Sequence, residues 1–130
     1  MFEWHGWATI RTTPEVVDFE DSATGDTVQA VARLVEGAQG IVNETVDLRW
    51  ANGDLHLWVA GAHNHEGPRQ LELYQAVAQA APGSYGVLYT FDHDDEHWKR
   101  YVMRRGDVRL EVDESLSPHV PMVEDEDTDD

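Results

Sequence analysis

The sequence predicts an α+β domain, a mostly antiparallel sheet with two helices on one face. Its first six elements follow a ferredoxin-like β-α-β-β-α-β order, and further strands follow at the C-terminal end. Three observations point there. Apolar and polar residues alternate with period two in several short segments. Two other stretches place their apolar residues on a single helical stripe. Turn-forming pairs such as Asn52-Gly53 and Pro82-Gly83 separate these segments. A length of 130 residues suits one domain, here taken as residues 1–123 followed by an acidic tail over 124–130.

Residues 2–12 read as the first strand, with Phe2, Trp4, Ala8 and Ile10 on one face and Glu3, His5, Trp7 and Thr9 on the other. Pro14 ends it, and an acidic loop (Asp18, Glu20, Asp21) follows. Asp26 with Gln29 has the spacing of a capping box. Val28, Val31, Ala32 and Val35 then form a helical stripe that Gly37 and Gly40 close. Val46, Leu48 and Trp50 face one way in the next strand, as do Leu55, Leu57 and Val59 in the one after it. Asn52-Gly53 between them marks a tight hairpin, because a two-residue turn needs positive φ at both positions.

Pro68 opens a second helix whose buried stripe is Leu71, Tyr74, Val77, Ala78 and Ala81. Pro82-Gly83 stops it. Residues 84–91 are a β-rich run suited to a central strand. The acidic segment Asp92 to His97 leads to a strand from Trp98 to Met103, and Arg105-Gly106-Asp107 turns into a last strand with Val108, Leu110 and Val112 inward. The closing run Glu124 to Asp130 is too charged to pack and reads as a disordered tail.

Composition narrows the function. Nine basic residues against 26 acidic ones give a net charge of −17, a field that repels nucleic acid and anionic membranes and favours a basic partner. The absence of cysteine excludes a disulfide scaffold and a thiolate centre. No apolar run is long enough to span a bilayer, and Met1-Phe2-Glu3-Trp4-His5 has no basic-then-apolar character of a secretory signal. A cytoplasmic protein without membrane contact is the expectation.

With the helices on one face, alternation leaves His5, Trp7 and Thr9 of the first strand, and His56 and Trp58 of the third, on the other. Trp4, Trp50 and Leu57 belong to the core. Two readings of Trp7 and Trp58 stand open. Either the C-terminal segment around Leu116, Val120 and Met122 folds back over them, or the face stays open and binds a partner, for which tryptophan is a favoured anchor.

Two histidine clusters invite a metal reading. His63 and His65 form an H-x-H pair, and Asp92, His93, Asp94, Asp95, Glu96 and His97 supply further donors, so a small metal-dependent hydrolase is one alternative. The acidic run lacks the glycine and distal glutamate of a calcium loop, and no H-E-x-x-H, nucleophile elbow or phosphate-binding glycine loop occurs. Neither a catalytic residue nor a metal ligand is assigned, and no cofactor is expected. The acidic segment has a second reading, an anionic tip that imitates a polyanion and steers a basic partner. An adaptor domain that takes a peptide on its open sheet is the remaining alternative.

Order and spacing of short motifs add a resemblance. His5-Gly6-Trp7 with Thr9-Ile10-Arg11, then Asn52-Gly53 and Asn64-His65, are followed by Ala81-Pro82-Gly83-Ser84-Tyr85-Gly86 with Leu88-Tyr89. Arg105-Gly106, Leu116-Ser117-Pro118, Pro121, Glu124 and Asp125 complete the series. With these the chain resembles the immunity protein 7 family of bacterial polymorphic toxin systems, departing from its pattern in the acidic tail and at His119. The resemblance implies an α+β binder, not an enzyme, that neutralises a cognate toxin, a nuclease by class, in the producing cell. The toxin-binding residues expected are Asp92, Asp94, Asp95, Glu96, Trp98, Trp7 and Trp58, in a monomer or a homodimer.

Overall fold

Two kinds of periodicity sort the chain into eight elements in the computed structural model, which describes residues 1–16, 23–64 and 67–116. In order they are β1 (Phe2–Ile10), α1 (Gly25–Ala38), β2 (Glu44–Ala51), β3 (Asp54–His63), α2 (Arg69–Ala80), β4 (Tyr85–Asp92), β5 (Trp98–Arg104) and β6 (Asp107–Asp113). The strands form one sheet in the order β2-β3-β1-β4-β5-β6, and every neighbouring pair is antiparallel. The first four strands thus have the split-βαβ arrangement, and the β5–β6 hairpin extends the sheet beyond β4.

Alternation places Phe2, Trp4, Ala8 and Ile10 of β1 under the helices with Leu55, Leu57 and Val59 of β3 and Leu88 of β4. Val31 and Val35 of α1, and Tyr74, Val77 and Ala78 of α2, close over them. Burying one such aliphatic side chain contributes about 1.5–3 kcal/mol. Both tight hairpins carry the positive φ that their two-residue turns need: Asn52 (55°) with Gly53 (85°), and Arg105 (51°) with Gly106 (77°).

Several local expectations shift. β1 stops at Ile10 because Arg11 turns toward the β4 entrance, its amide donating to Ser84 Oγ at 3.0 Å while its carbonyl accepts from Gly83 at 3.0 Å. The N-cap of α1 is Thr24, so Asp26 lies in the first turn and faces the helix dipole there instead of capping it. Gly37 lies within α1, and the positive φ falls on Gly40 (88°). Trp50 is 55% exposed, because the end of the edge strand β2 runs past the helices. Leu110 and Val112 do share the helix-side face but stay 51% and 56% exposed on the opposite edge strand, beyond helical cover. The loop acids Asp18, Glu20 and Asp21, as well as His65, Val120, Met122 and the 124–130 tail, lie outside the described residues. Among the described residues no helix is long and apolar enough to cross a membrane.

Candidate interaction surface

Strand register carries one row of side chains across the helix-free face. Asp47 stands opposite Trp58, Trp58 opposite Trp7, Trp7 opposite Val87, Val87 opposite Val102, and Val102 opposite Arg109. Trp7 and Trp58 are 40% and 39% exposed, and Tyr85 beside them is 45% exposed. Trp7 meets Tyr85 edge to face at 6.1 Å, and His56 lies 5.3 Å from Trp58. Thr9 Oγ1 fixes that histidine ring through Nδ1 at 3.0 Å. The result is an aromatic platform on a rigid sheet, with ring faces that water covers only poorly.

The platform is braced from behind. Tyr74 of α2 donates its hydroxyl proton to the Trp7 carbonyl at 2.7 Å. Gly86 makes this possible: a Cβ there would collide with the Trp7 carbonyl, Ala8 Cα and the Tyr74 hydroxyl. Burial pushes the Tyr74 phenol well above its ordinary pKa, so it stays a donor.

The expected site residues do not form one cluster. Asp92 pairs with Phe2, whereas Trp7 lies five residues further along β1, about 17 Å away at the usual strand rise. Within the acidic segment the four carboxylates divide by role. Asp95 Oδ2 accepts the Asp92 amide at 2.9 Å, and the Asp95 amide donates to the Asp92 carbonyl at 2.7 Å. Asp92 and Asp95 therefore shape the turn, while Asp94 and Glu96 are exposed. Trp98 is 7% exposed and stacks on Phe91 at 5.0 Å, anchoring the base of the hairpin. Next to it, Arg100 contacts Glu111 at 2.7 Å and buried Asp113 at 3.5 Å, and the Glu111 hydrogen bond raises its pKa further. Ser115 Oγ donates to the same Asp113 carboxylate at 2.8 Å.

The histidines are not gathered around a cation. His63 Nε2 lies 2.5 Å from Glu44 Oε2 and stacks on Trp4 at 5.4 Å. Arg69 binds that same carboxylate, so a guanidinium occupies the place a metal would take. His63 and Asp92 flank Phe2 from opposite sides, on β3 and β4, roughly 10 Å apart at ordinary strand spacing. Among the described residues no group of three or more His, Asp or Glu side chains is arranged to hold a metal.

Reading single strands missed Tyr85, Val87 and Tyr74. The outward alternation of Tyr85 and Val87 was present in the run, but only the pairing of β4 with β1 shows that they extend the tryptophan row.

A family model described as Immunity protein 7 matches residues 1–125 of the chain. Comparison with curated proteins returned no match, and comparison with solved structures returned none.

Proposed function

This chain belongs to the immunity protein 7 family, and on that premise we propose that it is a non-enzymatic inhibitor that binds one cognate toxin, a nuclease with a basic surface, in the cytosol of the producing cell. The observation that carries the site assignment is the exposed row of Trp58 and Trp7 with Tyr85 on the helix-free face. Large rings held on a sheet lose little conformational entropy on binding, and tryptophan and tyrosine supply much of the energy of interface centres. Asp94 and Glu96 at the hairpin tip add a negative pole that speeds and orients encounter with a basic partner. Asp92, Asp95 and Trp98 hold that pole in shape. The net charge of −17 acts in the same direction at longer range.

The test is co-expression with the product of the neighbouring gene, followed by pull-down and rescue of toxicity. A stable complex with rescue supports the inhibitor reading, and failure of both overturns it. Within such a complex, Trp7→Ala and Trp58→Ala are each expected to weaken binding on the order of tenfold or more. The double variant Asp94→Lys/Glu96→Lys should slow association and flatten its salt dependence. Unchanged affinity in the first pair and unchanged association in the second would remove these residues from the interface.

A further inference from the structure

The two edges of the sheet differ. On β2 the edge is partly closed, because Gln39 at the end of α1 donates its side-chain amide to the Val46 carbonyl at 2.9 Å, and Arg49 pairs within its own strand with Asp47 at 3.1 Å. On β6 no hydrogen bond among the described residues reaches the main chain except from the β5 ladder. Among the described residues nothing else pairs with β6, Asp107–Asp113, so those of its main-chain groups that point away from β5 are left unpaired. Such an edge is a template for another strand unless something covers it. Leu110 and Val112, both more than half exposed, line its helix-side face.

The β6 sequence is complementary to itself in one register. When two copies pair antiparallel about Leu110, each Arg109 stands opposite Glu111 of the other copy, on the face shared with the tryptophan row. Leu110 meets Leu110 on the helix side, and Val108 meets Val112. Shifting the register by two residues either way sets Arg109 against Arg109 or Glu111 against Glu111. A shift by one opposes side chains of different faces, which pleating forbids. The only like-charged pair in the favoured register is Asp107 with Asp113, and Asp113 is already turned inward onto Arg100 and Ser115. Charge distribution points to the same edge. Five of the nine basic residues (Lys99, Arg100, Arg104, Arg105 and Arg109) lie in the β5–β6 hairpin, so repulsion between two copies of this acidic chain is weakest there.

We propose that β6 is a homodimer interface, in which two copies join edge to edge about Leu110 into one twelve-stranded antiparallel sheet. The interface is isologous, and its two-fold axis runs perpendicular to the sheet. Both aromatic platforms therefore face the same side. The inference goes beyond toxin binding and does not depend on it.

The test uses the full chain alone. Sedimentation is expected to show a concentration-dependent dimer, and Arg109→Glu should raise its dissociation constant on the order of tenfold by opposing Glu111 at two symmetric positions. Leu110→Cys should give a disulfide-linked dimer on mild oxidation with diamide, since this position faces itself across the axis and the chain has no other cysteine. Val42→Cys, 77% exposed and remote from β6, should not. A chain that sediments as a monomer at every concentration, or a Leu110→Cys variant that cross-links no better than Val42→Cys, overturns the proposal.

Discussion

The hydroxyl of Tyr74 reaches through the floor of the sheet to the carbonyl of Trp7, 2.7 Å away, so a helix residue fixes the backbone of a residue whose ring lies on the opposite face. Tyr74→Phe removes the donor and leaves that carbonyl one partner short. Destabilisation of about 1–3 kcal/mol is expected in urea unfolding. The pH dependence has a definite sign. Burial raises the Tyr74 pKa above its unfolded value, so its contribution is complete below about pH 10 and declines as pH rises through the alkaline range, where only the unfolded chain ionises. Wild-type stability should fall more steeply above that pH than that of Tyr74→Phe. Parallel curves would show that the phenol titrates alike in both states.

Two glycines should respond in opposite directions to the same substitution. Gly86→Ala forces a methyl group against main chain on β1 and against the Tyr74 hydroxyl, and overpacking of this kind costs about 1–3 kcal/mol or more. Gly37→Ala adds a methyl group inside α1, where nothing lies within 4 Å. It should raise stability by about 0.5–1 kcal/mol through lower backbone entropy in the unfolded chain. Thermal or urea unfolding of both variants checks the pair.

At the β5–β6 turn, Arg105 carries a φ of 51° without being glycine. Asparagine tolerates this left-handed region better and suits the first position of the turn before Gly106. Arg105→Asn is expected to raise stability by roughly 0.5–1 kcal/mol. A loss would mean that the arginine side chain makes a contact worth more than its backbone strain.

Carboxylates of the acidic hairpin should separate by role. Asp95→Ala removes the acceptor of the Asp92 amide and is expected to cost about 1 kcal/mol of stability. Asp94→Ala, at an exposed position, should fall within about 0.5 kcal/mol of wild type. Equal effects in denaturation would contradict the assignment of Asp95 to the fold and of Asp94 to the solvent.

How far the sequence could be read depended on whether a feature was local. Period-two alternation located β1, β2, β3 and β6, and a β-rich run located β4, because both are properties of a short stretch of sequence. Asn52-Gly53 placed its turn because few pairs accept positive φ twice. The position of Trp50 was misread for the opposite reason. Its alternation was right, but exposure at the end of an edge strand depends on how far the helices reach over it, and that is a tertiary fact. Trp98 gives the same lesson in reverse. As an isolated residue beside an acidic loop it looked available to a partner, whereas Phe91, adjacent only after β4 and β5 pair, takes its ring. The tryptophan row was half legible: Trp7 and Trp58 were placed on the correct face, but their direct opposition depends on the β1–β3 register.

The position of β1 also has a consequence in time. β1 has β3 on one side and β4 on the other, so neither of its ladders can be complete until the 53 residues from Arg11 to His63 have been made. Until then β2 and β3 can form only a hairpin of marginal stability. The final docking of β1 is thus a late, long-range event that joins two halves of the sheet, and such closures are slow for their size. Assembly of the platform therefore waits on the docking of β1, and a chain interrupted before β4 has no completed aromatic platform to offer.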